Sequence, residues 1–191
     1  MTYITLREPQ PTSSGSRIEV IEFFSYMCPC SNELEPAIEQ WTKNQAANLD
    51  FKRVPLGLMP YWIPSQKMYY ALDAIGKLEM LHSKIFAAVH VERTLLTSDD
   101  AVIEFTAKNG VNNQKFLSTY NSQNVQVRLA AAKRLEQSYK IEQCPMIAIG
   151  GRYMTSPAMV AKTISGTIAA GAVQDATIKI LDELIAKAKA R

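Results

Sequence analysis

With 191 residues, 47% of them hydrophobic and 20% charged, the chain can bury a full core as one domain, with room for a sizeable insertion. Its formal net charge of +3 comes from scattered lysines and arginines, the densest group being Arg128, Lys133 and Arg134. That pattern reads as a solvated helix face, and no nucleic-acid partner is expected. No run approaches the roughly 18 apolar residues of a membrane span, so the chain is expected to be water-soluble. The first residues, Met1-Thr2-Tyr3, lack a basic-then-apolar leader and read as the start of a trimmed, mature chain. Three cysteines are too few for a structural disulfide framework and leave at least one thiol over whatever pairs.

In chain order, Tyr3 to Leu6 is a short strand, followed by a loop through Pro9, Pro11 and the Thr-Ser-Ser-Gly-Ser run at 12 to 16. Ile18 to Phe24 reads as a buried strand with Glu22 in its middle. From Pro29 the spacing turns helical, with Leu34, Ile38 and Trp41 at i, i+4 and i+7 and Pro36 inside the helix, where it should kink it. Leu49 to Leu56 is a second strand, completing a βαβ unit whose strands should be parallel neighbours. Gly57 to Pro64 is a turn-rich break. A helical stretch follows: Ser65 to Leu81, continued by Lys84 to Val91; a helix capped by Ser98, Asp99 and Asp100 and ended by Asn109-Gly110; Asn112 to Tyr120; and Asn124 to Tyr139, with Val127 and Leu135 on its apolar side. Strands return at Met146 to Ile149 and Arg152 to Thr155 around the hairpin signal Gly150-Gly151. Val173 to Ala190 is a terminal amphipathic helix, with Ile178, Leu181, Leu184 and Ile185 inward and Lys187, Lys189 and Arg191 near its end.

The chemistry concentrates where the Ile18 to Phe24 strand passes through an aromatic corner into Cys28-Pro29-Cys30-Ser31. A cysteine at a helix start feels unpaired backbone N–H groups and the positive end of the helix dipole, both of which favour thiolate over thiol. The alternative is that Cys28 and Cys30 are small buried hydrophobes. Glu22 also has two readings: a carboxylate near the rim of the strand in contact with water, or an acid beneath the neighbouring thiol that handles its proton.

The stretches YITL at 3 to 6, VIEFFSYMCP at 20 to 29 and CPMIAIGGRY at 144 to 153, with the terminal helix, resemble the DsbA family of periplasmic thiol:disulfide oxidoreductases across essentially the whole chain. The resemblance implies an α/β, thioredoxin-like fold with an inserted α-helical module: residues 1–61 and 140–191 as the discontinuous thioredoxin-like domain, 62–139 as the insertion. It implies Cys28 as nucleophile, a cis-proline at Pro145 that presents backbone groups to a peptide, Glu22 as the family's buried acid and Glu35 as a second carboxylate. It further implies cysteine-containing exported proteins as substrates, a periplasmic location, a membrane redox partner of the DsbB type, and no cofactor.

The chain departs from the family at the decisive place. Where the family has Cys-Pro-His-Cys, Cys30 stands at the histidine position and Ser31 at that of the resolving cysteine. A serine closes no disulfide. Cys30 lies two residues from Cys28, about 200° around a helix, so bridging them would unwind the first turn. Cys144, just before the cis-proline position that in thioredoxin-like folds faces the active-site cysteine, is the favoured partner, with Cys30 or an external thiol such as glutathione as alternatives. All three thiols staying reduced is the remaining possibility. Two other functions are weighed: a soft-metal (Cu or Zn) binding or delivery protein using Cys28, Cys30 and Cys144, and a relative of kappa-type glutathione transferases with Ser31 or Ser25 donating to a bound thiol. His82 and His90 read as ordinary surface or packed helix histidines. Tyr26, Tyr61 and Trp62 are candidates to line an apolar peptide groove.

Overall fold

The computed structural model describes residues 1–12, 15–166 and 169–190. Ser13 and Ser14 of the first loop and Arg191 of the terminal helix therefore lie outside the described residues, as do residues 167 and 168. In chain order the elements are β1 (Tyr3–Thr5), β2 (Ile18–Phe24), α1 (Pro29–Gln45), β3 (Leu49–Pro55), a 3-10 turn (Pro60–Trp62), α2 (Ile63–Ala74), α3 (Leu78–His90), α4 (Asp99–Lys108), α5 (Asn113–Tyr120), α6 (Gln123–Ser138), β4 (Met146–Ile149), β5 (Tyr153–Thr155), α7 (Pro157–Ala161) and α8 (Ala172–Lys189). They divide into two compact units. Met1–Phe24, Cys30–Val54 and Gln143–Arg191 form the first, and Ser25–Pro29 with Pro55–Glu142 form the second.

The first unit is a five-stranded sheet in the order β1-β5-β4-β2-β3, carried with α1, α7 and α8. The strand register is set by apolar runs: β2 lies antiparallel to β4 with Val20 opposite Ile149 and Phe23 opposite Met146. β4 turns back on β5 with Ile149 opposite Tyr153. The turn between them centres on Gly150 and Gly151, closed by the Arg152 N–H donating to the Ile149 carbonyl at 3.1 Å, so the returning strand begins at Tyr153 rather than Arg152. Gly151 has φ +63° and its missing Cβ would stand 2.2 Å from the Gln10 carbonyl oxygen, so no other residue fits that turn unstrained. Val20, Ile147 and Ile149 of the sheet pack with Leu34 and Ile38 of α1 and with Leu181, Leu184 and Ile185 of α8 in one core cluster. Burying each such side chain contributes roughly 1.5–3 kcal/mol. Trp41 Nε1 donates to Asp182 at 2.8 Å, which gives the buried indole N–H its partner.

The second unit holds α2 to α6 and, among the described residues, no strand. The helical pattern expected over Ser65 to Leu81 is two helices. Ile75 continues the apolar spacing, yet Gly76 adopts φ +68°, and the Lys77 N–H donates back to the Leu72 carbonyl at 2.8 Å, which ends α2 with a left-handed cap. Side chains of Ser98, Asn112 and Ser122 accept from the backbone N–H groups of Ala101, Lys115 and Val125, so α4, α5 and α6 each start on a capping residue. In α6 the inward valine is Val125, while Val127, expected on the apolar side, is exposed. Two residues along a helix turn the side chain about 200°, and the face containing Val125, Ala132 and Glu136 is the one that packs. The short helix α7 follows Ser156, whose Oγ accepts from the Met159 N–H, and was not legible as a separate element. No helix among the described residues is long and apolar enough to cross a membrane.

Candidate active site

β2 delivers the chain into a tight turn before α1. The Cys28 N–H donates to the Ser25 carbonyl at 3.1 Å, and the Met27 N–H donates to Ser25 Oγ at 3.1 Å. Ser25 thus closes the turn with both backbone and side chain. Pro29 is the first residue of α1, a position where the missing N–H costs nothing. Cys28 immediately precedes it and is buried, Cys30 one turn position on is exposed, and Ser31 is fully buried. Tyr26, the second residue of the turn, is not part of an open groove: it is 1% exposed and sits within the second unit among Tyr69, His82 and Phe86. Its hydroxyl lies 2.6 Å from His82 Nδ1. Tyr61 is exposed and makes an edge contact with Trp62.

Within the first unit, Glu22 is fully buried on β2, so the reading of a wet rim carboxylate is wrong: both faces of the strand are covered, and the side chain has no route to water. Its charge is met by Arg53 of β3. Arg53 Nε donates to Glu22 Oε2 at 3.0 Å and an Arg53 terminal nitrogen donates to Glu35 Oε1 of α1 at 2.7 Å. One guanidinium bridges two buried carboxylates, leaving a net negative charge when both are ionised. Glu22 Oε1 has no hydrogen-bond partner among the described residues. Burial pushes the Glu22 carboxyl up to about 7, with Glu35 adding to the rise and Arg53 opposing it. Burial therefore favours the protonated Glu22 carboxyl further toward neutral pH than an exposed one. Arg53 was the member missed from sequence; its signal is an arginine inside a strand, between Phe51 and Val54.

The Cys144–Pro145 peptide bond is cis, and Pro145 leads directly into β4, with Cys144 partly exposed before it. Of the expected site residues, Glu22, Cys30, Ser31, Cys144 and Pro145 belong to the sheet-bearing unit, while Cys28 and Pro29 group with the helices. His82 is buried and His90 partly so, and among the described residues no group of three or more His, Cys, Asp or Glu side chains gathers to hold a metal ion.

Comparison with known proteins gives a consistent result. The family model described as "DSBA-like thioredoxin domain" matches residues 63–169. The thiol:disulfide interchange protein DsbA of Burkholderia cepacia is 39% identical over 163 residues, covering 85% of this chain and 76% of that protein. The protein of the same name from Bordetella pertussis is 34% identical over 187 residues, covering 98% and 84%. The crystal structure of Pseudomonas aeruginosa DsbA superposes with a TM-score of 0.87 at 31% identity, over 99% of this chain and 93% of that one. With a five-stranded sheet interrupted in sequence by helices, and these relatives along nearly its full length, the chain belongs to the DsbA-like thioredoxin family, a thiol:disulfide oxidoreductase.

Proposed function

We propose that Cys28 is the attacking thiol and that the protein exchanges disulfides in cysteine-containing exported proteins. The observation that carries this reading is the placement of Cys28 at the close of a hydrogen-bonded turn, immediately before the proline that opens α1. The positive end of the α1 dipole favours its thiolate. The thiolate attacks one sulfur of a substrate disulfide. A Cys28–substrate bond forms and the other substrate sulfur leaves as thiolate. If Cys144 then attacks Cys28, a Cys28–Cys144 disulfide forms and the substrate leaves reduced by two electrons. If a substrate thiol attacks instead, the substrate disulfide is rearranged with no net redox change. Cys30 and an external thiol such as glutathione are the other resolving groups. Ser31 stands where the family's second cysteine stands, so resolution by a neighbour three residues on is closed to this chain.

In this reading Glu22, six residues before Cys28, takes up and returns the proton that the thiol sheds, a role suited to a carboxyl pushed up to about 7 by burial. Pro145 presents backbone groups to an extended peptide. By its family the protein works in the periplasm and is recycled by a membrane partner of the DsbB type. The metal-binding and glutathione-conjugating alternatives are not supported better than this reading.

Reduction of insulin and reactivation of scrambled ribonuclease test the proposal. Cys28→Ser is expected to abolish both, and activity retained in that variant would sink it. The resolving group follows from Cys144→Ser and Cys30→Ser: the variant that accumulates the Cys28–substrate mixed disulfide identifies the thiol that normally breaks it.

A further inference from the structure

The turn that ends in Cys28 is held from α3 at two points. Tyr26 occupies the second position of the Ser25–Cys28 turn, where the carbonyl takes no part in the hydrogen bond that closes the turn. His90 Nε2 lies 2.8 Å from that carbonyl oxygen. A carbonyl only accepts, so Nε2 carries the proton and donates. The Tyr26 side chain meets His82 Nδ1 at 2.6 Å and the Phe86 ring edge-on at 4.9 Å between centroids. His82, Phe86 and His90 recur at i, i+4 and i+8, so they form one stripe along α3. Their rings also touch each other, His82 on Phe86 at 5.3 Å and Phe86 on His90 at 6.3 Å. Ser25–Pro29 groups with these helices as one compact unit.

We infer that His90 is a positioning residue for thiol exchange, holding the Cys28 turn through the Tyr26 carbonyl, with the His82–Tyr26 contact as its second anchor. The sulfur's thiolate character depends on where it lies against the first N–H groups of α1, so a turn free to rotate places Cys28 less well. The chain has no histidine in its Cys-Pro-Cys-Ser segment, and its imidazoles act instead from α3, His90 on the Tyr26 carbonyl and His82 on the Tyr26 hydroxyl. This inference rests on Cys28 being the nucleophile, and the experiment separates the two.

In a Cys30→Ser/Cys144→Ser background Cys28 is the only thiol, and its position is read without reference to activity. The measurements are its thiolate absorbance as a function of pH and its alkylation rate by iodoacetamide. His90→Phe keeps an aromatic ring on Phe86 but cannot donate, whereas His90→Gln retains an amide donor. The expected result is an upward move of the thiolate titration midpoint and about tenfold slower alkylation in His90→Phe, the size of one lost hydrogen bond, with His90→Gln recovering most of both. A His90→Phe protein that melts lower but keeps the Cys28 midpoint and alkylation rate overturns the inference, as does a folded His90→Gln variant no better than His90→Phe. If His90→Phe does not fold, His90→Gln decides: a midpoint and rate near the parent's support the inference, and values shifted by the full amount overturn it. If Cys28→Ser retains exchange activity, the nucleophile assignment fails while the alkylation result still stands on its own.

Discussion

The two units solve the burial of polar groups in opposite ways. In the sheet-bearing unit, Glu22 and Glu35 share Arg53, and the charges do not balance: one Glu22 oxygen has no hydrogen bond among the described residues, and burial lifts its carboxyl toward neutral pH. In the helical unit, Tyr26, His82 and His90 make contacts of 2.6 and 2.8 Å between groups that need no charge to satisfy one another. A buried carboxylate pair around one cation keeps a proton equilibrium open, because adding a single proton changes the cluster from one excess negative charge to none. A phenol, an imidazole and a carbonyl at hydrogen-bond distance hold geometry. The difference suggests a division of labour between a proton reservoir and a clasp.

The largest effect is expected on breaking the charged cluster. Arg53→Met leaves two carboxylates without their cation and should cost about 3–5 kcal/mol at pH 8. The loss should be smaller at pH 5, where Glu22, raised to about 7 by burial, holds its proton. Urea midpoints at both pH values check this, and an equal, small loss at both would remove the argument that Arg53 holds buried charge. Next is Glu22→Gln, which keeps the shape and removes the titration. In the parent, the folded state holds the Glu22 proton up to about 7 while the unfolded chain releases it near 4.5. The stability from this group is therefore full below pH 4.5 and is lost as pH rises to about 7, on the order of 3 kcal/mol in all. The Gln variant should show a flatter curve across that window and be at least as stable as the parent at pH 8; an unchanged slope would mean that Glu22 is not the group titrating. The smallest effect is expected at the clasp. Tyr26→Phe deletes one hydroxyl against His82 and should cost about 1–2 kcal/mol, leaving the Glu22-borne slope in place because the two clusters share no residue. A loss of that slope in Tyr26→Phe would show that the clusters are not independent.

Much of this organisation is written in local pattern. The strand from Ile18 to Phe24, the helix opening at Pro29, the caps at Ser98 and Asn112 and the hairpin at Gly150-Gly151 depend on periodicity, φ preferences and side-chain capping, which act over a few residues. So does the placement of Cys28 before a helix, and the family motif around it is contiguous. The break at Gly76 was also local and could have been found, since a glycine can adopt the left-handed cap that the preceding Ile75 hides.

What the sequence by itself determined, then, was the order of elements and the place of Cys28 just before a helix. What only the tertiary structure decided were the partners of buried polar groups. Glu22 finds Arg53 across the neighbouring strand and Glu35 from α1, and Tyr26 finds His82 and His90 more than fifty residues along the chain. Histidines at i and i+8, with Phe86 between them at i+4, look like any packed helix stripe until the turn they face is known. Hydrogen bonds and ion pairs reach only about 3–4 Å, so their existence depends on which elements the fold brings alongside, and no spacing within one segment encodes that.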